Sequence, residues 1–295
     1  MRILVSGSTG FVGSALVRLL QQSGHEVVCL VRTRASTTGV LWDPESGRIE
    51  ADKIDRMDAV IHLAGENIAA KRWDAAQKLR LLNSRIKGTT LLAESLAHRL
   101  HPPRVLVSSS AVGYYGNRGS ETLREESEPG RGFLADLCRQ WERSTEAASQ
   151  KGIRVVHMRT GIVLGPDGGA LAKMMLPFKM GVGGKIGSGD QYMSWIARED
   201  LCRAFVHAIE TESLNGAVNG VGPNPVTNLE FTKTLGRVLS RPTVFPVPAI
   251  AARFAFGEMA DELLLSSQRV EPARLLETGF VFQHTSLESA LRASV

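Results

Sequence analysis

The sequence predicts an α/β fold built on a doubly wound parallel sheet with helices on both faces, plus a small, mostly helical C-terminal substrate lobe. Three observations carry this. Short β-rich runs alternate with helical periodicity through the first half of the chain, the signature of βαβ units. The apolar run Ile3-Leu4-Val5 leads directly into a glycine turn and then an amphipathic segment. Beyond residue 160 the texture changes to a glycine-rich stretch and short apolar segments broken by prolines.

Strands are expected over 2–6, 26–31, 40–42, 59–63, 105–109 and 154–158, where β-favouring apolar residues run together. Helices over 11–22, 73–99 and 133–151 fill most of the gaps, the first stopping at Ser23-Gly24. The stretch 161–189 holds Gly168-Gly169, Gly181, Gly183-Gly184 and Gly187. Such a segment is not expected to form regular core and should wander over the carboxyl ends of the strands, where ligands bind in open α/β sheets. A helix over 198–210, a strand near 217–219 and a helix over 228–239 follow, before Pro242, Pro246 and Pro248 mark a break. Short helices are expected over 249–256, 258–265 and 272–277, with an ending at 280–282 and 287–291. About 45 residues are too few for an independent core, so this tail should pack on the main body.

A chain of 295 residues with 43% hydrophobic and 22% charged residues has the composition of a soluble globular protein with a substantial core. It has no apolar run of ~18 residues to span a membrane, and Arg2 opens a strand in place of a signal-peptide layout, so a cytoplasmic protein is expected. Cys29, Cys138 and Cys202 are widely spaced and set in apolar or helical surroundings, which suggests buried thiols and neither disulfides nor a metal site. The formal charge of +5 is spread among 30 acidic residues without a long basic run, which argues against nucleic acid and leaves anionic small molecules open.

The most informative motif is Gly7-Ser8-Thr9-Gly10-Phe11-Val12-Gly13. Gly7 permits the tight turn, Gly10 lets backbone N–H groups approach phosphate oxygens, and Gly13 lets the helix pack closely on the strand. Ser8 and Thr9 add hydroxyl donors. The spacing is GxxGxxG where the common dinucleotide fingerprint is GxGxxG, and an ordinary strand–turn–helix is the alternative. Its place at the start of the chain, behind a buried strand, favours a Rossmann-type dinucleotide site. The second strand then ends at Val31-Arg32, with Arg34 just beyond. Where an acidic residue would bind the ribose hydroxyls of NAD, a guanidinium suits a ribose 2′-phosphate, so NADP(H) is the expected cofactor. The alternative for these arginines is a solvated basic loop.

These residues resemble the extended (atypical) short-chain dehydrogenase/reductase superfamily, NAD-dependent epimerase/dehydratase-like. The superfamily match rests on residues 7–13, on Ile61-His62-Leu63-Ala64-Gly65, on Ser108-Ser109-Ser110, on the run Arg159-Thr160-Gly161-Ile162-Val163-Leu164-Gly165-Pro166, and on Trp195-Ile196 to Asp200. Gly65-Glu66-Asn67-Ile68, the stretch from Gly181 to Gln191 and the tail from Gly257-Glu258-Met259-Ala260 to Pro272 are similar to a narrower "epimerase family" subgroup with a C-terminal domain of unknown function. The resemblance covers essentially the whole chain.

The resemblance implies an NADP-binding Rossmann domain over 1–165, with 190–225 returning to it, a substrate-side lobe over 166–248 and a small helical domain over 249–295. It implies that Leu63, Ala64 and Gly65 pass beneath the adenine and ribose side. It places Asp43 near the adenine amino group, a turn aspartate before Pro44 being the alternative. It puts Arg85 where most of the superfamily carries an asparagine behind the cofactor, an exposed helix arginine being the alternative. Val31, Ser108, Ser109, Ile162 and Val163 join the implied contact set.

Catalysis in the superfamily uses a tyrosine four residues before a lysine, with a serine or threonine orienting the carbonyl. Ser110, or Ser109 in a shifted register, matches the serine. With Glu142 as anchor the tyrosine and lysine positions fall on Leu134 and Cys138, and neighbouring registers supply no phenol with an ammonium. Tyr115, with Tyr114 beside it, is the candidate replacement, given a nearby cation such as Arg139 or Lys173; loop packing is the alternative. Gln191 and Tyr192 are expected in a pocket wall, with Met174, Met175 and Met180 on its apolar side or in helix core.

The expected function is therefore that of an NADP-dependent oxidoreductase, or nucleoside-sugar-epimerase-like enzyme, acting as monomer or homodimer on a small carbonyl or hydroxyl compound. A catalytically idle NADP(H)-binding sensor is the alternative, with the missing tyrosine and lysine in its favour.

Overall fold

The structure, a computed structural model, describes residues 1–33 and 39–295. The chain divides into two compact units, each assembled from separated stretches. The first comprises Met1–Ser110, Leu137–Met158 and Cys202–Val218, and the second Ala111–Asp136, Arg159–Leu201 and Asn219–Val295.

Six strands of the main sheet come early in the chain: β1 (Arg2–Ser6), β2 (Glu26–Val31), β3 (Val40–Asp43), β4 (Arg48–Ile49), β5 (Ala59–His62) and β6 (Val105–Ala111). The sheet has eight strands in the order Gly216–Gly220, Arg154–Thr160, β6, β5, β1, β2, β3, β4. β1 runs parallel to β2 and to β5, β2 parallel to β3, and β5 parallel to β6, while β4 folds back antiparallel on β3. The strand order therefore turns back between β1 and β5. Their carboxyl ends form the switch point at which an open α/β sheet leaves a crevice for a ligand. β5 is buried at every residue and β1 at all but Arg2, which is why both read as unbroken apolar runs.

α1 (Gly13–Gln22) buries Leu16 and Leu20, and α2 (Ala75–Ala97) buries Leu81, Leu92 and Leu96. α2 starts at Asp74, whose side chain accepts the Gln77 N–H at 2.6 Å. Leu92 and Leu96 join Leu4, Trp42, Val60 and Leu106 in the core of this unit. Gly88 lets α2 approach that core, since a Cβ there would stand 3.4 Å from the Trp42 ring.

Three expectations are corrected in these stretches. α1 starts two residues later than expected, because residues 11 and 12 still belong to the turn. The helix expected over 133–151 is two helices, α3 (Phe133–Arg143) and Glu146–Gln150. Thr145 breaks it: its hydroxyl bonds back to the Glu142 carbonyl at 2.8 Å and to His157 Nε2 at 2.9 Å, offering the backbone an alternative to the helical ladder. Cys29 is half-buried, unlike Cys138 and Cys202, which are buried as expected.

The second unit has its own core, with Leu171, Phe178, Trp195, Phe231, Leu235 and Leu291 among its members. Ile162–Leu164 pairs parallel with Trp195–Ala197, Tyr192–Met193 antiparallel with Val226–Thr227, and Thr122–Leu123 parallel with Arg269–Val270. The glycine-rich stretch is not irregular throughout, as expected from its composition. Gly169–Lys179 forms a helix that buries Leu171 and Phe178, seven residues apart, and packs Met174 and Met175 against the core. The glycines sit at its ends, where they cost least.

The tail shares this core through Leu287, Ala290 and Leu291. The Asp200 carboxylate fastens it by accepting the N–H groups of Gln283 at 2.8 Å and His284 at 2.9 Å. The helix expected over 258–265 is reduced to one π-type turn, Ala260–Leu264, with Leu265 N–H bonded to the Ala260 carbonyl. Gly257, at φ +61°, has already ended the preceding helix.

Candidate functional site

The glycine turn leaves β1 at the switch point. Gly7 lies at φ +68°, and a Cβ there would stand 2.9 Å from the Leu63 carbonyl carbon and 3.0 Å from Ala64 N, so only glycine lets the two strand ends come together. At Gly13 a Cβ would overlap the Gly7 carbonyl oxygen. Gly10 differs: a Cβ there would meet only the Gly7 oxygen, at 3.2 Å, and the residue is exposed. That one contact is tight, and the rest of the surface at Gly10 is open. α1 follows with no side-chain cap at Val12 and no carboxylate in its first turn. The positive end of its dipole thus faces an open cradle fit for an anion.

A buried chain of hydrogen bonds holds this geometry. Ser6 Oγ accepts the N–H groups of Leu63 at 3.1 Å and Ala64 at 3.2 Å, so its own proton goes to His62 Nδ1 at 2.7 Å. The His62 Nε2–H then donates to Thr89 Oγ1 at 3.0 Å, which also accepts the Trp141 indole N–H at 3.0 Å. Burial pushes the His62 pKa down to about 4, so the imidazole is neutral and the wiring selects its Nε2–H tautomer. The end of β1 is thereby tied through β5 to α2 and α3. Sequence reasoning quoted His62 only as part of a run, since nothing local in it reports partners 27 and 56 residues away.

At the end of β2, Val31 is buried and Arg32 exposed, with no hydrogen bond or ion pair of its own among the described residues. Arg34 lies outside the described residues. Asp43 spends both carboxylate oxygens on its own turn, accepting Ser46 Oγ–H at 2.6 Å and Glu45 N–H at 3.1 Å. The Ser46 hydroxyl chiefly holds its pKa below the usual carboxylate value. Arg85 is not the exposed helix arginine of the alternative reading. It is buried, donates to the carbonyls of Leu81 at 3.2 Å and Glu66 at 3.1 Å, and stands 5.0 Å from the centre of the Trp141 ring. Burial lowers its pKa. Gly65 passes beside it, a Cβ there lying 3.5 Å from the guanidinium carbon.

Ser108 is buried, Ser109 half-buried, and the Ser110 hydroxyl donates to Glu142 Oε1 at 2.7 Å. Ser110 is thus already engaged by the residue that anchored the helix register. Leu134 and Cys138 are both buried, and Ile162 and Val163 lie half-buried on the short strand of the second unit.

The expectation that Tyr115 transfers a proton is corrected. Its ring is fully buried, and its hydroxyl donates to Asn219 Oδ1 at 2.7 Å and accepts Arg159 Nη1–H at 3.0 Å. Burial raises its pKa to about 12, away from the range a general acid needs at neutral pH. A cation against both tyrosines is Arg159, whose guanidinium lies 3.4 Å from the centre of the Tyr114 ring. Gln191 likewise serves the fold, its amide donating to the carbonyls of Ile186 at 3.0 Å and Leu264 at 2.9 Å. Met180 is exposed, not part of an apolar wall.

The sequence profile of the NAD dependent epimerase/dehydratase family matches residues 3–220. The chain belongs to that family. A second profile, a domain of unknown function (DUF1731), matches residues 247–294. An epimerase family protein of Mycobacterium tuberculosis is 45% identical over 290 residues, covering 98% of this chain and 96% of the relative. The crystal structure of the human epimerase family protein SDR39U1 with NADPH superposes with a TM-score of 0.91 at 36% identity, over 99% of this chain and 98% of that one. A nucleoside-diphosphate sugar epimerase from Corynebacterium glutamicum gives 0.83 at 37% identity, over all of this chain and 58% of that one.

His62→Phe should cost ~1–3 kcal/mol by leaving the buried Ser6 hydroxyl proton without its acceptor and Thr89 without one of its donors. The wild-type contribution is full above pH 6.5, the ordinary histidine value, and is lost as pH falls through about 4. Urea denaturation across that window should therefore show the two proteins converging as the pH drops. Tyr115→Phe, which takes the donor from Asn219 Oδ1 and one acceptor from Arg159, should lower stability by ~1–3 kcal/mol in the same assay at neutral pH.

Proposed function

We propose that this family member holds NADPH on the glycine turn of its first unit and works as an oxidoreductase, or nucleoside-sugar-epimerase-like enzyme, on a small carbonyl or hydroxyl compound. The observation that carries the proposal is the exposed glycine turn at Gly10, set ahead of an α1 N-terminus that has no side-chain cap and no carboxylate in its first turn. Backbone N–H groups of residues 7–13 would take the pyrophosphate, with the Ser8 and Thr9 hydroxyls beside them. Arg32 would grip the 2′-phosphate next to Val31, and Leu63, Ala64 and Gly65 would underlie the adenine and ribose side. Asp43, Arg85, Ser108 and Ser109 complete the proposed contact set on the first unit. The human relative's structure with NADPH supports this reading.

The bound nicotinamide would supply or accept a hydride at C4. The proton that balances it has no phenol–ammonium pair to travel through, since buried Leu134 and Cys138 occupy those positions. Water is then the proton source for carbonyl reduction, and substrates whose oxygen needs little assistance are favoured. The same two residues, with the engaged Tyr115 hydroxyl, favour a second reading in which NADPH is held without turnover. Purified protein with NADPH and a panel of aldehydes, ketones and quinones separates the two. Saturable loss of nicotinamide absorbance supports the enzyme, and intact cofactor binding without loss supports the sensor.

Arg32→Ala should weaken NADPH binding about tenfold or more and leave NADH binding nearly unchanged, by fluorescence titration. Equal losses would remove the 2′-phosphate assignment. Gly10→Val should abolish binding of both while the protein still unfolds cooperatively.

A further inference from the structure

Two stretches of the second unit concentrate positive charge. Residues 169–189 contain Lys173, Lys179 and Lys185 and no carboxylate. Residues 231–256 contain Lys233, Arg237, Arg241 and Arg253, again with none. These seven cations exceed the +5 of the entire chain, so the remainder is net acidic and the excess belongs to this one region. The stretches run side by side. Arg241 Nε–H donates to the Lys179 carbonyl at 2.9 Å, Val247 N–H to the Lys185 carbonyl at 2.8 Å, and Gly187 N–H to the Val247 carbonyl at 2.9 Å.

The same stretches expose large apolar side chains. Leu176 and Met180, one helical turn apart, are 68% and 66% exposed, and Val182 follows on the adjoining turn. Val244 and Phe245 are exposed on the neighbouring segment. On the helix Ala249–Phe256, Ile250 and Phe254 share a face at 79% and 85% exposure. Eight of the fourteen large hydrophobic residues exposed among the described residues fall in these two stretches, which is a patch and not the usual scatter.

Lys233, Arg237 and Arg241, with Ser240 and Thr243, line an open recess of about 460 Å³ beside this apolar surface. Arg253 is paired with Asp261 at 2.9 Å, and Arg237 stands 3.7 Å from Glu288. Lys179 and Lys233 have no carboxylate partner among the described residues. We propose that this face docks the protein on the surface of an anionic phospholipid bilayer, with lipid phosphates at the cationic recess and Ile250, Phe254 and Met180 entering the headgroup–acyl boundary. A bilayer presents anions and hydrocarbon at adjacent depths, which is the pairing this surface lacks. A second copy of the chain serves it poorly, because a two-fold contact would press the same cations against each other.

The test is co-sedimentation of the full chain with vesicles of phosphatidylcholine alone and of phosphatidylcholine with phosphatidylglycerol. Binding is expected to the anionic vesicles only and to weaken as salt is raised. The double variants Ile250→Ser with Phe254→Ser, and Lys179→Glu with Lys233→Glu, should each weaken it about tenfold or more. Their unfolding temperatures should stay at the wild-type value, since all four side chains are exposed. Absence of sedimentation with anionic vesicles, or unchanged sedimentation of both variants, would overturn the proposal. So would self-association in light scattering that Ile250→Ser with Phe254→Ser abolishes while vesicles are ignored.

Discussion

The hydrogen-bonded junction of Ser6 with Leu63, Ala64 and His62 is the constraint on which the dinucleotide cradle depends. Parallel strands part where the sheet order turns back, and their ends would otherwise leave backbone donors without partners. One serine hydroxyl accepts two of those donors, and a neutral histidine takes its proton. Gly7 can then turn against the Leu63 carbonyl at a distance no side chain would allow, and α1 starts where its dipole meets the open face. A charged imidazole would need a second acceptor in place of its role as one, so burial and tautomer are part of the same device.

Within each unit the chain uses buried cations as architecture. Arg85 caps backbone carbonyls beneath Gly65 and lies against Trp141, and Arg159 fills the space between Tyr114, Tyr115 and the Glu125 carbonyl. Each spends its hydrogen bonds on fixed acceptors. The side chains at the acid–base positions of the superfamily are apolar or sulfur-bearing, and the nearby serine hydroxyl is already given to Glu142.

The first half of the fold was legible because buried parallel strands and amphipathic helices write their period directly into the sequence, as in Ile3-Leu4-Val5 or Leu16 and Leu20. The glycine turn was legible for the same local reason. Thr145, which splits the long helix, and Leu171 with Phe178, which rescue a helix from a glycine-rich stretch, were weaker signals because tertiary partners decide them. The fate of the site residues was least legible. Tyr115 reads as a loop phenol in water, yet its partners Arg159 and Asn219 lie 44 and 104 residues away, and no local pattern carries that pairing.

The central claim is that the cradle at Gly10 holds a dinucleotide and that the guanidinium after β2 selects the phosphorylated one. Calorimetric titration of the unmodified protein with NADPH and with NADH tests it directly. A single saturable site per chain, with NADPH bound at least about tenfold more tightly than NADH, is the predicted result. No saturable heat with either nucleotide, or equal affinity for both, would contradict it.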